Sequence, residues 1–313
     1  NTVGSSEISS TGAVLSGTVV TDNGAAITER GFVYMLGEGS PTTSSQKLTV
    51  SGTTGDFAAS LKDLEPNKKY SFRAYAVNSV GTSYGGIMTF TTGVAKASLS
   101  ATGISDITST SATLSSKVTS HGGDTVSEVG FYYSTEEAVD PEKSVKVNRV
   151  YSSDSFSISI SGLAINTKYY VKAYAVNSAG TVYSDIASFT TLASTPVVNT
   201  VGSSEISSTG AVLSGTVVTD NGAAITERGF VWLKGTDAPT TSSNKVKVEG
   251  ATGDFTATIS GLDPNQKYSF RAYAINSKGT AYGDIMTFNT VAGLPALSAM
   301  KISSITTTSA TFT

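Results

Sequence analysis

One stretch occurs three times in this chain. Asn67–Gly85 reads NKKYSFRAYAVNSVGTSYG, returns as NTKYYVKAYAVNSAGTVYS at Asn166–Ser184, and again as NQKYSFRAYAINSKGTAYG at Asn265–Gly283. Tyr70, Tyr169 and Tyr268 stand 99 residues apart, and the same spacing relates Phe32, Phe131 and Phe230 as well as Leu15, Leu114 and Leu213. A period of that length is a whole domain and exceeds the unit of any solenoid. The spacing predicts repeats over 1–92, 98–191 and 197–290, and the beginning of a fourth over 296–313.

Within a repeat the apolar pattern has period two. Tyr70, Phe72, Ala74 and Ala76 fall on one face and Ser71, Arg73, Tyr75 and Val77 on the other, the pattern of a strand covered on one side. Asn-Ser-x-Gly-Thr then supplies turn chemistry, because Gly and Asn accept positive φ. Further strands are expected at an edge segment near Ile8, then at Ala13–Val20, Glu29–Met35, Gln46–Val50, Phe57–Leu61, and from Tyr84 to Phe90. Lys47, Lys143, Lys146, Lys245 and Lys247 on or beside the short fourth strand would blunt a sheet edge. Nothing repeats at helical spacing, so the expected class is all-β: seven strands per repeat in a two-sheet sandwich.

The repeats alternate in kind. Residues 1–33 are identical to 199–231, whereas repeat 2 differs at most exposed positions, and Ser298–Thr313 matches Ser100–Ser115 far better than Asn1–Ser16. The order is therefore A, B, A, B. A chain halting inside its fourth copy is expected to belong to a longer protein, since half a sheet is an aggregation template. The rival expectation is that this stub completes another molecule's sandwich. The connections at Thr92–Ser98, Thr191–Val197 and Thr290–Ala296 are short and lack a Gly/Ser tract, which predicts semi-rigid joints.

Leu64-x-Pro66-x-x-x-Tyr70, Phe-Arg-Ala-Tyr-Ala-Val-Asn-Ser-x-Gly-Thr and Phe90-Thr-Thr together resemble a fibronectin type III domain. The resemblance implies tandem immunoglobulin-like sandwiches in which Tyr70, Tyr169 and Tyr268 are tyrosine corners, each hydroxyl bonded to upstream backbone. Leu15, Leu114 and Leu213 stand where many members of the family carry tryptophan. Ile27–Val33, Pro41-Thr-Thr and Arg73–Ser79 are similar to the variant found in secreted and surface proteins of Bacteroidetes-type bacteria. That likeness implies an extracellular, cell-surface spacer, adhesion or scaffold module. In the same group Asp-Thr followed by an aliphatic residue can carry O-linked glycan, which makes Thr125 in Asp124-Thr125-Val126 a candidate.

Composition narrows the chemistry. Net charge is −3 and basic residues are scattered, so no surface is suited to a phosphate backbone. No apolar run reaches membrane-spanning length, and direct membrane insertion is not expected. There is no cysteine and no Asn-x-Ser/Thr sequon. His121 is the only histidine and sits in a turn, while Glu29, Glu128 and Glu227 recur singly, so neither a metal set nor an acid pair is indicated. The expectation is a protein that is not an enzyme and needs no cofactor.

The remaining candidate is the outward parity of repeat 2, where Tyr132, Tyr170, Lys172 and Tyr174 replace Val33, Ser71, Arg73 and Tyr75. Neighbouring tyrosines can stack on sugar rings or anchor an interface, but tyrosine packed against a lysine stem also stabilises a sheet by itself. The function expected is a stalk or fibre segment of a long extracellular bacterial protein. Its partners would be neighbouring domains of the same chain, further copies, or surface glycans and proteins. The alternatives are accessory or carbohydrate-binding modules of a polysaccharide-degrading enzyme, and subunits of a self-assembling surface filament.

Overall fold

The computed structural model describes residues 1–295, 302–303, 305–309 and 311–312. In repeat 1 the strands are β1 (Thr2–Ser6), β2 (Ala13–Val19), β3 (Glu29–Leu36), β4 (Gln46–Val50), β5 (Gly55–Leu61), β6 (Lys69–Val77), β7 (Thr82–Tyr84) and β8 (Met88–Thr91). One sheet has the order β1-β2-β5; the other has β4-β3-β6-β7, with β8 also on β6. All the pairings are antiparallel. The same two-sheet arrangement recurs around Ser111–Ser120 with Lys168–Asn177, and around Gly210–Thr219 with Lys267–Asn276. The fold is all-β, a tandem of immunoglobulin-like sandwiches in fibronectin type III strand order.

By contact the chain divides into two compact units, Asn1–Gly162 with Thr167–Thr190, and Leu163–Asn166 with Thr191–Thr313. The first carries the sheet pairs of repeats 1 and 2, and the second carries those of repeat 3. Part of the expected fourth repeat lies outside the described residues. Within them, Ile302–Ser303 pairs antiparallel with Thr311–Phe312.

The core follows the alternation. Leu15, Phe32, Phe72, Phe57 and Phe90 fill the space between the sheets of repeat 1, as Leu213, Phe230, Phe270, Phe255 and Phe288 do in repeat 3. At the corner the Glu65 N–H donates to the Tyr70 hydroxyl oxygen at 3.0 Å, and the Asp263 N–H to that of Tyr268 at 3.0 Å. Tyr169 is buried and stacks on Phe189 at 5.7 Å.

Three local expectations are corrected. The edge strand lies at Thr2–Ser6 and not near Ile8, because Glu7 takes φ 48° and the Ser9 N–H closes a turn on the Gly12 carbonyl. The expected last strand is split into β7 and β8. Across that break the Thr2 hydroxyl accepts from the Ala74 N–H at 3.0 Å and donates to the Gly86 carbonyl at 2.5 Å. A side chain of the opposite sheet thus fills the gap in the ladder.

The third correction is larger. The outward face of the central strand is also covered, for Val33, Ser71 and Tyr75 are as buried as the core. The segment between β3 and β4 crosses that face and is pinned there. Arg73 Nε donates to the Pro41 carbonyl at 2.6 Å, and its guanidinium lies 3.9 Å from the Tyr84 ring centroid. The Tyr84 hydroxyl in turn accepts from the Thr43 N–H at 3.0 Å. Arg271, Pro239, Tyr282 and Thr241 repeat the arrangement.

Candidate functional site

The outer face of the larger sheet is organised by a glycine and a tyrosine on adjacent strands. Gly31, Gly130 and Gly229 stand opposite Tyr75, Tyr174 and Tyr273 in the strand register. A Cβ on Gly130 would lie 2.8 Å from a ring carbon of Tyr174 and 2.2 Å from the Val147 carbonyl oxygen. The ring occupies the place of the missing side chain, the way an aromatic shields a strand glycine.

Each tyrosine hydroxyl then reaches a glutamate at the start of the third strand. Tyr273 donates to Glu227 Oε1 at 2.7 Å, while Tyr75 and Tyr174 donate to Glu29 and Glu128 through shorter bonds. Lysines of the edge strand close the group, with Lys47 at 2.8 Å from Glu29, Lys146 at 2.8 Å from Glu128, and Lys245 at 3.2 Å from Glu227. Lys247 also pairs with Glu227. The edge lysines therefore neutralise a glutamate as well as guarding an edge.

The electrostatics follow from these contacts. Lys47, and then Tyr75, hold the Glu29 carboxyl below its ordinary range, and Lys146 with Tyr174 does the same to Glu128. Lys247, then Tyr273, lower Glu227 to about 2. Burial, and then the glutamate, push the Tyr174 and Tyr273 hydroxyls upward. A carboxyl whose folded pKa is depressed stabilises the fold above its unfolded pKa and ceases to do so as pH falls through the folded value. Stability should accordingly fall from about pH 4.5 towards about pH 2 on account of Glu227. Urea midpoints measured across that window should decline less steeply for Glu227→Gln than for the unmodified chain.

The candidate platform of repeat 2 meets this geometry as follows. Tyr174 is 1% exposed, so its ring is a structural plug and is not offered to a ligand. Tyr132 is half-buried with its centroid 5.0 Å from Tyr174 and 6.2 Å from Tyr183. Lys172 Nζ lies 4.5 Å from the Tyr183 centroid, and Lys168 Nζ 4.8 Å from that of Tyr170. The aromatic side chains that keep open surface are Tyr132 and Tyr170, both half-buried, and Tyr183, which is 41% exposed. Tyr183 belongs to the next strand and is aligned with Tyr84, a correspondence available from the 99-residue spacing.

Thr125 is exposed beside buried Val126, with its hydroxyl 3.5 Å from Asp124. His121, expected as turn filler, bridges two loops: its Nε2 lies 2.8 Å from the Tyr151 hydroxyl and 2.9 Å from Asp154. The Tyr151 hydroxyl, and after it His121, hold the Asp154 carboxyl below its usual range. Among the described residues no three His, Cys, Asp or Glu side chains are grouped to hold a metal ion, and no helix is long and apolar enough to cross a membrane.

The strand order and register define a class: a tandem of fibronectin type III-like sandwiches. No protein-family model and no curated protein matches the chain. Among solved structures it is similar to the crystal structure of chicken CNTN1 FN1–FN3 domains, at 19% identity and a TM-score of 0.39, over 92% of this chain and 97% of that one. At that score the likeness carries no argument about function, and the class rests on topology.

Proposed function

We propose that this chain is a non-catalytic structural segment of an extracellular bacterial protein, whose tandem sandwiches act as a stalk. The observation that carries the reading is the form of the connections. In the first unit the Ala95 N–H donates to the Gly122 carbonyl at 2.8 Å, Asn177 Nδ2 to the Ala95 carbonyl at 2.8 Å, and Asn67 Nδ2 to the Gly123 carbonyl at 2.7 Å. A connection whose backbone is paired on both sides transmits orientation, whereas an unpaired linker does not.

Gly122, at φ 69°, makes this approach possible, since a Cβ there would stand 2.0 Å from the Ala95 carbonyl oxygen. Gly122→Val should therefore open the joint while leaving the sandwich cores intact. Small-angle X-ray scattering should show a broader distance distribution for the variant and unchanged far-ultraviolet circular dichroism. An unmodified chain that already scatters as freely jointed domains would defeat the stalk reading.

A second reading is favoured by the Tyr132–Tyr183 surface with Lys172 across it: a carbohydrate-binding accessory module. Glycan-array signal lost in Tyr132→Ala and retained in Tyr170→Ala would support it. An array without signal removes it.

A further inference from the structure

The 99-residue spacing permits one face to be compared in three repeats of a single chain. In repeats 1 and 3 the cation and the phenol on the outer face are both engaged by the segment that joins the third and fourth strands. Arg73 Nε donates to the Pro41 carbonyl, and the Tyr84 hydroxyl accepts from the Thr43 N–H. Arg271 with Pro239 and Tyr282 with Thr241 do the same. In repeat 2, Lys172 and Tyr183 take the places of Arg73 and Tyr84, while Asp140 and Glu142 take those of Pro41 and Thr43.

Here the joining segment closes on itself. The Asp140 carbonyl accepts from the Lys143 N–H at 3.1 Å and from the Ser144 N–H at 2.8 Å, and the Glu142 N–H donates to Asp140 Oδ1 at 3.0 Å. Asp at this place supplies a turn-forming side chain that Pro does not have. The carbonyl and the amide that hold the face in the other repeats are therefore spent within the turn. Lys172 Nζ instead lies 4.5 Å from the Tyr183 ring centroid. Among the described residues no carboxylate pairs with Lys172, for Glu128 is held by Lys146, Asp140 by Lys143 and Asp154 by His121. Tyr132 stands where the other repeats have the fully buried Val33 and Val231, and it brings a second ring to 6.2 Å from Tyr183. Repeat 2 thus carries two partly open rings beside an ammonium that no carboxylate of the described chain neutralises.

We propose that this surface binds a carboxylate-bearing polysaccharide, with a pyranose face laid on Tyr132 and Tyr183 and the sugar carboxylate held by the Lys172 ammonium. A tyrosine ring offers an apolar face and a polar tip, which suits the mixed surface of a sugar. A hydrogen bond between ammonium and carboxylate is stronger than one between neutral partners. An acidic polypeptide fits less well. Lys168–Asn177 is a central strand, paired with Glu128–Ser134 on one side and with Gly180–Tyr183 and Ala187–Thr190 on the other, so its main chain has no ladder to offer an added strand. The inference rests on the carbohydrate-binding reading and adds the charge of the ligand to it.

The test titrates the full chain with polygalacturonate, with neutral galactan and with poly-glutamate, at low and at high salt. Polygalacturonate should bind most tightly, and its affinity should fall as salt is added. Lys172→Gln should weaken that binding about tenfold and leave binding of galactan unchanged. Lys172→Arg should retain it, and Lys62→Gln, which removes the same charge from repeat 1, should have no effect. Tyr132→Ala should weaken both glycans about three- to tenfold. Unchanged far-ultraviolet circular dichroism shows that each variant is folded. Equal affinity for polygalacturonate and galactan would overturn the proposal and leave the carbohydrate-binding reading standing. Binding to neither glycan would remove both. Poly-glutamate bound as tightly as polygalacturonate would overturn the proposal in favour of an acidic polypeptide.

Discussion

Gly130→Ala should destabilise repeat 2 by about 2–4 kcal/mol, a large effect for a single methyl group on a strand. The new Cβ would stand 2.2 Å from the Val147 carbonyl oxygen and 2.8 Å from both the Asn148 Cα and the Tyr174 ring. Two of these neighbours are backbone of the paired strand, so relief requires the strands to separate. The third is a ring fixed by its hydroxyl on Glu128, which Lys146 also holds. Gly4→Ala is the control, since nothing lies within 4 Å of the position its Cβ would take. That change should stay within about 0.5 kcal/mol. Hydrogen exchange reads both effects, because the amides of the unaltered repeats report their own stability in the same sample. Comparable losses for Gly130→Ala and Gly4→Ala would refute the packing account.

Arg30→Ala should cost about 2–4 kcal/mol and release the loop between β4 and β5. The Arg30 side chain is 7% exposed, with its guanidinium 4.8 Å from the Phe57 ring centroid. Nη2 donates to the Ser51 carbonyl at 2.9 Å, and Nη1 to those of Thr53 and Thr54 at 3.1 Å each and of Gly55 at 3.3 Å. One planar cation thus gathers the carbonyls of the loop and of the first residue of β5. Arg228 repeats the clamp on Glu249, Ala251, Thr252 and Gly253. Alanine removes the donors and the stem packed on Phe57 together, so the loop amides should exchange faster before the rest of repeat 1 does. Repeat 2 has Val129 at this position and fastens its loop with His121, Tyr151 and Asp154 instead. Val129→Ala should therefore leave that loop's exchange unaltered.

Arg30 also shows where reading the sequence stops. By alternation it lies on the inner face beside Phe32-parity residues, and a charge there gives no sign of what satisfies it. The carbonyls that do so are more than twenty residues downstream, and only the loop's closure brings them within reach. The same limit applies to Tyr174. Parity placed it outward, and outward it is, but parity carries no information about the glycine opposite or the glutamate it reaches 46 residues away.

The sequence by itself determined the repeat length, the all-β class, the central strands and the aromatic core. These depend on period-two alternation and on self-similarity, both local properties of the chain. The tertiary structure alone decided that the outer face is roofed and that Tyr174 is withdrawn from the expected tyrosine platform while Tyr183 joins its surface. It also decided that the connection around Ala95 is hydrogen-bonded. Each of these rests on a polar group finding a partner distant in sequence, and such pairing exists only once the sheets have packed.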